Sequence, residues 1–262
     1  MKKVNVLILG LAVLLAFGCS GDEKKDDPIP EDQVQKNCLL TKIVSPETTY
    51  DLIYNSAGKV IRINDTRQDS TISSHMEITY NAGGNIAEIK HFNNKNATYL
   101  QEIFSYNSQN LPDTIYSIYS FQTGTFNTYE YNAAGQLTKW SNFSGSKVTP
   151  SHYTEVTYPA PNQTKEMLYS YDALGNVLLN STYEKQYDNK KSPHAPFDAV
   201  FKPIISSNNL LSFKITNHSQ GTTLIYTYTY IYNAADYPIQ QAVTYSHVPL
   251  PPAVSTFTYN CQ

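Results

Sequence analysis

Met76-Glu77-Ile78-Thr79-Tyr80-Asn81-Ala82-Gly83-Gly84-Asn85-Ile86 is the stretch on which the fold turns. Its first residues alternate, Met76, Ile78 and Tyr80 apolar against Glu77 and Thr79 polar, the period-two signature of a strand with one wet face. Four residues past the tyrosine stands Gly84, which accepts the left-handed backbone of a tight turn. Ile86 and Ile89 then open a second apolar face. Strand, turn and strand in that order describe a β-hairpin.

The same phrase recurs along the chain. Tyr-Asn pairs stand at Tyr54, Tyr80, Tyr106, Tyr131, Tyr232 and Tyr259, and with Tyr158 included the first four steps are 26, 26, 25 and 27 residues. A constant pitch of this length marks one supersecondary unit copied along the chain. Four residues after each tyrosine, counting Tyr171, come Gly58, Gly84, Asn110, Gly135, Asn162, Gly175 and Asp236. Only glycine, asparagine and aspartate occur there, the residues that tolerate positive φ, so each is a repeat turn, a type I turn closed by a glycine-type bulge. Two strands per unit from Cys38 to Cys261 give on the order of sixteen strands. The expected fold is all-β, an antiparallel meander of hairpin units of about 26 residues curled into a soluble barrel or a strongly curved sheet. One interruption stands out. From Tyr187 to Asn209 the pattern fails, and Asp188-Asn189-Lys190-Lys191-Ser192-Pro193-His194-Ala195-Pro196-Phe197 reads as a long loop with a short helix over 197–201, an irregular insertion at about 188–209. Prolines 193, 196 and 203 argue against a continuous strand.

The N-terminus carries an address. Lys2 and Lys3 precede an apolar run from Val6 to Phe17, too short for a mature membrane span and laid out as a secretory signal over residues 1–18. Leu15-Ala16-Phe17-Gly18-Cys19 resembles the lipobox of bacterial lipoproteins, in which the cysteine becomes the lipidated first residue. Residues 19–36 are polar and acidic at Asp22, Glu23, Asp26 and Asp27, a composition that buries nothing and acts as a flexible tether. That acidic cluster resembles the export signal of Bacteroidetes surface lipoproteins. The resemblance implies an outer-membrane anchor and the cell surface, with the periplasmic face as the alternative, and residues 37–262 as the folded domain.

Removing the signal takes Lys2 and Lys3 from 19 basic residues, leaving 17 against 22 acidic ones. A net negative chain without a basic stripe excludes nucleic acid as a partner class. With Cys19 assigned to lipid, Cys38 and Cys261 remain, and in an oxidising exported compartment they form one disulfide or stay as two free thiols.

Chemical motifs are sparse. The six histidines are spread with no close pair and no cysteine pair, so metal-ligand spacing is absent, and no phosphate-cradling or dinucleotide-binding motif implies a cofactor. Glu77, Glu102, Glu130 and Glu155 lie on repeat strands; folding could make of them a glycosidase-like pair or leave them as solvated carboxylates. Tyr226, Tyr228, Tyr230 and Tyr232 share one face of a strand, either as core filling or as a platform for sugar rings. Asp69-Ser70-Thr71 and Asp113-Thr114-Ile115 resemble the O-glycosylation motif of Bacteroidetes exported proteins.

The Tyr-Asn/Asp-x-x-Gly units resemble the YD repeats of RHS-type proteins. The layout of lipobox, hairpins, the Tyr187–Pro193 segment and the final Tyr259-Asn260-Cys261 resembles a Bacteroidetes lipoprotein domain family of unknown function described as porin-like, which implies a barrel or curved sheet and no catalytic residues. Porin-like need not mean membrane-spanning, because the apolar face here is rich in tyrosine, whose hydroxyls need partners. Three functions fit: a non-enzymatic exported scaffold binding a glycan, peptide or envelope partner; a hydrolase or lyase acting on glycans; and a structural shell fragment of RHS type. For a binder, the candidate loop residues are Lys190, Lys191, His194 and Phe197, since loops carry binding more often than scaffold strands. A plug covering a barrel end is the competing role for that segment.

Overall fold

The computed structural model describes residues 38–68, 73–120, 122–145, 149–193, 207–246 and 250–261. They form sixteen strands and no helix: β1 (Cys38–Val44), β2 (Thr48–Tyr54), β3 (Val60–Arg67), β4 (Ser73–Tyr80), β5 (Ile86–Phe92), β6 (Thr98–Tyr106), β7 (Pro112–Tyr119), β8 (Gln122–Tyr131), β9 (Leu137–Ser144), β10 (His152–Thr157), β11 (Gln163–Tyr171), β12 (Val177–Lys191), β13 (Asn208–Asn217), β14 (Thr222–Tyr232), β15 (Pro238–Tyr245) and β16 (Ala253–Cys261). Each pairs antiparallel with its sequence neighbours, and β16 pairs with β1. The meander is therefore a closed barrel and not an open curved sheet.

The asparagine after each tyrosine has a local task. Asn55 N–H donates to Lys59 O at 2.9 Å and Gly58 N–H to Asn55 O at 3.0 Å, with Gly58 at φ 72°. The Asn55 side-chain oxygen accepts from Ala57 N and Lys59 N, both at 3.0 Å, stapling the turn from inside. Asn107, Asn132 and Asn233 repeat both side-chain bonds. Turn residues of this kind are chosen for backbone reasons, which is why the phrase survives where the flanking strands vary.

Beyond each of the asparagine-stapled turns the ladder slips by one, whereas the Tyr158 turn has no slip. Ile53 pairs with Arg62 but Tyr54 with Val60, so Ile61 is bulged; Tyr80 meets Ile86, Tyr106 meets Pro112 and Tyr131 meets Leu137 in the same way. The tyrosine of each following unit then donates its hydroxyl to the carbonyl at the preceding bulge: Tyr80 to Val60 at 2.6 Å, Tyr106 to Ile86 at 2.8 Å, Tyr131 to Pro112 at 2.7 Å and Tyr158 to Leu137 at 3.1 Å. These bonds lace one unit to the next along a single rim. Burial pushes the Tyr54 phenol up to about 12.

Closure of the barrel copies a turn without using one. Tyr259 pairs with Leu40 across the seam, its hydroxyl donates to Pro238 O at 2.8 Å, and Tyr54 donates to Leu40 O at 2.6 Å. Where other units have a turn, the link here is the Cys38–Cys261 disulfide, with its Cα atoms 4.0 Å apart. Of the two sequence alternatives, the pairing is the one realised.

Alternation and closure sort the side chains. Leu40, Ile43, Leu52, Val60, Ile63, Ile78, Ile86, Ile89 and Phe257 form a buried cluster on the inner wall, with Tyr50, Tyr54, Tyr80 and Tyr259 packed against it. The opposite parity carries charge in alternating sign: Lys42 with Asp51 at 3.7 Å, Arg62 with Glu77 at 3.5 Å, and Lys214 with Glu184 at 2.7 Å. Between them Glu77 stands opposite Lys90, Lys139 opposite both Glu130 and Glu155, and Lys165 opposite Glu184. Side chains in these ion pairs are 41% to 48% exposed, so this face is the outer one.

Two sequence readings change. The segment from Asp188 to Lys191 is strand and not loop: β12 runs to Lys191 and β13 begins at Asn208. Tyr187-Asp188 is in fact another repeat unit, with Tyr187 paired to Leu210 as Tyr54 is to Val60. Pro193 lies past the end of β12, in keeping with the rule against proline in a ladder, and Pro196 and Pro203 lie outside the described residues. The helix expected over 197–201 lies outside the described residues. Gly175 does take φ 83°, but its turn follows an odd-numbered strand and so sits at the opposite rim. Val177 is 50% exposed there, and Leu174 at the tip is 87% exposed.

Candidate functional site

The rim that carries the tyrosine turns also carries the insertion. Tyr54 and Val60 are six residues apart in sequence and Tyr187 and Leu210 are 23 apart, so this turn holds 17 extra residues. Its staple is intact. Asp188 Oδ1 accepts Lys190 N at 2.9 Å, as Asn55 accepts Ala57 N, and Asn209 N at 3.0 Å takes the place of Lys59 N. Past the staple the two strands continue as a paired stem, Lys191 opposite Asn208 and Ser192 N bonded to Ser207 O at 2.8 Å.

The four sequence candidates divide. Lys190 is part of the stem base: its Nζ lies 2.8 Å from Asp236 Oδ1 and 4.0 Å from the Tyr232 ring centroid. Lys191 lies over the Tyr237 ring at 5.5 Å. His194 and Phe197 lie outside the described residues, as does Cys19. Tyr232 donates to Asp188 Oδ2 at 2.7 Å instead of to a bulge carbonyl, and Tyr230 takes over that role toward Leu210 O at 2.9 Å. Burial first, then the hydrogen bond to Asp188, holds the Tyr232 phenol above its usual range.

Beside the stem base, two hollows of about 570 Å³ and 470 Å³ meet at Pro159, Gln163 and Thr164. They arise where one turn departs from the pattern. Tyr158-Pro159-Ala160-Pro161-Asn162 has no staple asparagine after its tyrosine, and Asn162 supplies the left-handed residue at φ 58°. The larger hollow is uncharged, walled by Gln136, the 158–164 turn and Tyr187. Burial, then the charges of Glu166 and Tyr187, raises the Tyr158 phenol above its usual value. The smaller hollow is charged, walled by Lys165, Glu184, Lys185, Gln186, Ser212 and Lys214. Lys214 is held by Glu184, and Lys185 forms a buried ion pair with Glu166 while lying 5.4 Å from the Phe213 ring. Lys165 enters no ion pair among the described residues. The sequence signal for this site was the Tyr158 turn itself, the one unit written with two prolines.

The remaining candidates fall elsewhere. Glu77, Glu130 and Glu155 have the outward parity, whereas Glu102 points inward and lies 2.8 Å from His91 Nε2, so these four carboxylates do not form a facing pair. Tyr226, Tyr228, Tyr230 and Tyr232 share the parity of Phe213, Gln241 and Pro238 and line the inner wall as packing. Burial pushes Tyr228 up to about 12. No group of metal-ligating side chains occurs among the described residues.

No protein family model matches the chain, and no curated protein does. Among solved structures, it is similar to a porin-like protein from Bacteroides uniformis, at 12% identity over 84% of this chain and 96% of that one, with a TM-score of 0.60. A porin-like protein from Bacteroides vulgatus is similar at 13% identity over 86% of this chain and 99% of that one, with a TM-score of 0.41. At such identity the first likeness is one of fold, a β-barrel.

Proposed function

We propose that the chain is a non-enzymatic exported lipoprotein, a barrel of YD-type units that stands in water at the cell surface and holds a ligand at its insertion-bearing rim. Cys19 carries the lipid and residues 19–36 are the tether, as the signal, lipobox and acidic run support. The observation that carries the reading is the outer wall, where charges alternate in sign from strand to strand. A lysine or arginine on a lipid-facing barrel wall costs about 2–4 kcal/mol at the bilayer midplane, and this wall carries several. The barrel likeness to a porin-like protein is compatible with an envelope location.

Detergent phase partition tests it. The full chain expressed in a bacterium with lipoprotein processing should enter the detergent phase, and residues 20–262 expressed without the signal should enter the aqueous phase as a folded, detergent-free barrel. A signal-free chain that remains in the detergent phase would overturn the water-standing wall, and an unmodified Cys19 in the membrane fraction of the full chain would overturn the anchor.

A further inference from the structure

We infer that the paired hollows at Pro159, Gln163 and Thr164 form one site for an acidic oligosaccharide, with its sugar rings in the uncharged hollow and its anionic group over the rim at Lys165. This rests on the proposed binding role and names the ligand class. The larger hollow, about 570 Å³, lies in the range of small-ligand sites and offers a tyrosine ring, side-chain amides and a hydroxyl without a formal charge. Sugars match that lining, since their C–H faces pack on aromatic rings and their hydroxyls take amide partners. The amides are only partly committed: Gln136 uses its oxygen on Asn132 Nδ2 at 2.9 Å, and Asn162 uses its oxygen on Asn208 Nδ2 at 3.2 Å, leaving donor N–H groups on both.

The adjoining hollow supplies the charge preference. Of its three lysines, two are neutralised by Glu184 and Glu166, and Lys165 is the cation left over. It lines the smaller hollow, which shares Pro159, Gln163 and Thr164 with the larger one, so a ligand spanning the shared wall meets it.

The test uses the mature chain and a panel of uronate-, sialate- and sulfate-bearing oligosaccharides, each beside its neutral counterpart, with an acidic peptide as a further probe. Calorimetric titration should show acidic members binding about tenfold tighter than neutral ones, the loss of roughly 1.4 kcal/mol that removing one such contact represents. Lys165→Gln should abolish that preference while leaving neutral binding and the thermal midpoint unchanged, and Gln163→Ala should weaken both. Equal binding of acidic and neutral members, weakened by Gln163→Ala, overturns the acidic assignment and leaves the binding rim standing. Preference that persists in Lys165→Gln, or tighter binding of the peptide, overturns the inference. No binding by any member overturns the inference and the binding role, leaving only the anchored barrel.

Discussion

The hydroxyl of Tyr80 donates to the backbone oxygen of Val60 at 2.6 Å, from the end of one hairpin to the bulge that begins it. A partly buried neutral hydrogen bond of this kind is worth about 1 kcal/mol net. Tyr80→Phe should therefore lower the urea-unfolding free energy by about 1 kcal/mol, whereas Tyr116→Phe, on the outer face, should stay within about 0.5 kcal/mol. Equal effects at the two sites would show that the rim bond is energetically idle.

Because a disulfide takes the place of a turn at the seam, a peptide turn should replace the disulfide. Joining Asn260 to Leu39 through Ser-Ala-Gly, in place of both cysteines, and opening the chain between Ser56 and Ala57 gives a circular permutant with every register kept. It should unfold at a temperature indifferent to reductant. The native chain should lose up to roughly 5 kcal/mol on reduction, the chain-entropy value for so long a loop. A permutant less stable than the reduced native chain would contradict the equivalence of bridge and turn.

The staple at Asp188 implies that the insertion is dispensable for folding. Replacing residues 191–208 with a single glycine restores Tyr187-Asp188-Asn189-Lys190-Gly-Asn209-Leu210, the spacing of the other units. The shortened protein should keep its cooperative transition with a midpoint within a few degrees. Collapse of that transition would mark the segment as a plug that the barrel needs.

Alkali should unfold the barrel in a defined window. Tyr54 and Tyr228 are held up to about 12, and Tyr131, Tyr230 and Tyr259 are also raised, in each case chiefly by burial. Below pH 10 both folded and unfolded chains keep these protons. Between about 10 and 12 the unfolded chain loses them and the folded chain does not, so stability falls as pH rises. Tyrosinate absorbance should appear in one cooperative step with loss of the β signal in circular dichroism. Gradual ionisation at constant fold would show that the phenols are not protected.

Much of the architecture was written in the repeats. Positions such as Gly58, Gly84 and Asp236 can be read because positive φ restricts residue choice, and alternation around Tyr80 reveals the inner face. The tyrosine-to-bulge bonds were not legible, because their acceptor is a backbone carbonyl that any residue supplies. Tyr187 was misread because its partner strand resumes only after the extra residues, which breaks a search by pitch. Tyr171 follows Tyr158 by 13 residues, half the period, and that half step was the available sign that its turn belongs to the other rim. The binding hollows depend on how two neighbouring turns stand beside a third strand, which no single repeat encodes.

Most junctions between units are made by the same few bonds, a stapled turn, a bulge and a phenol reaching back to the unit before. A unit gained or lost by recombination between two such junctions would leave all the others satisfied. The circumference of a wall built this way can grow or shrink only by whole hairpins, two strands at a time, and its width is set by how many times one sentence of about 26 residues has been copied.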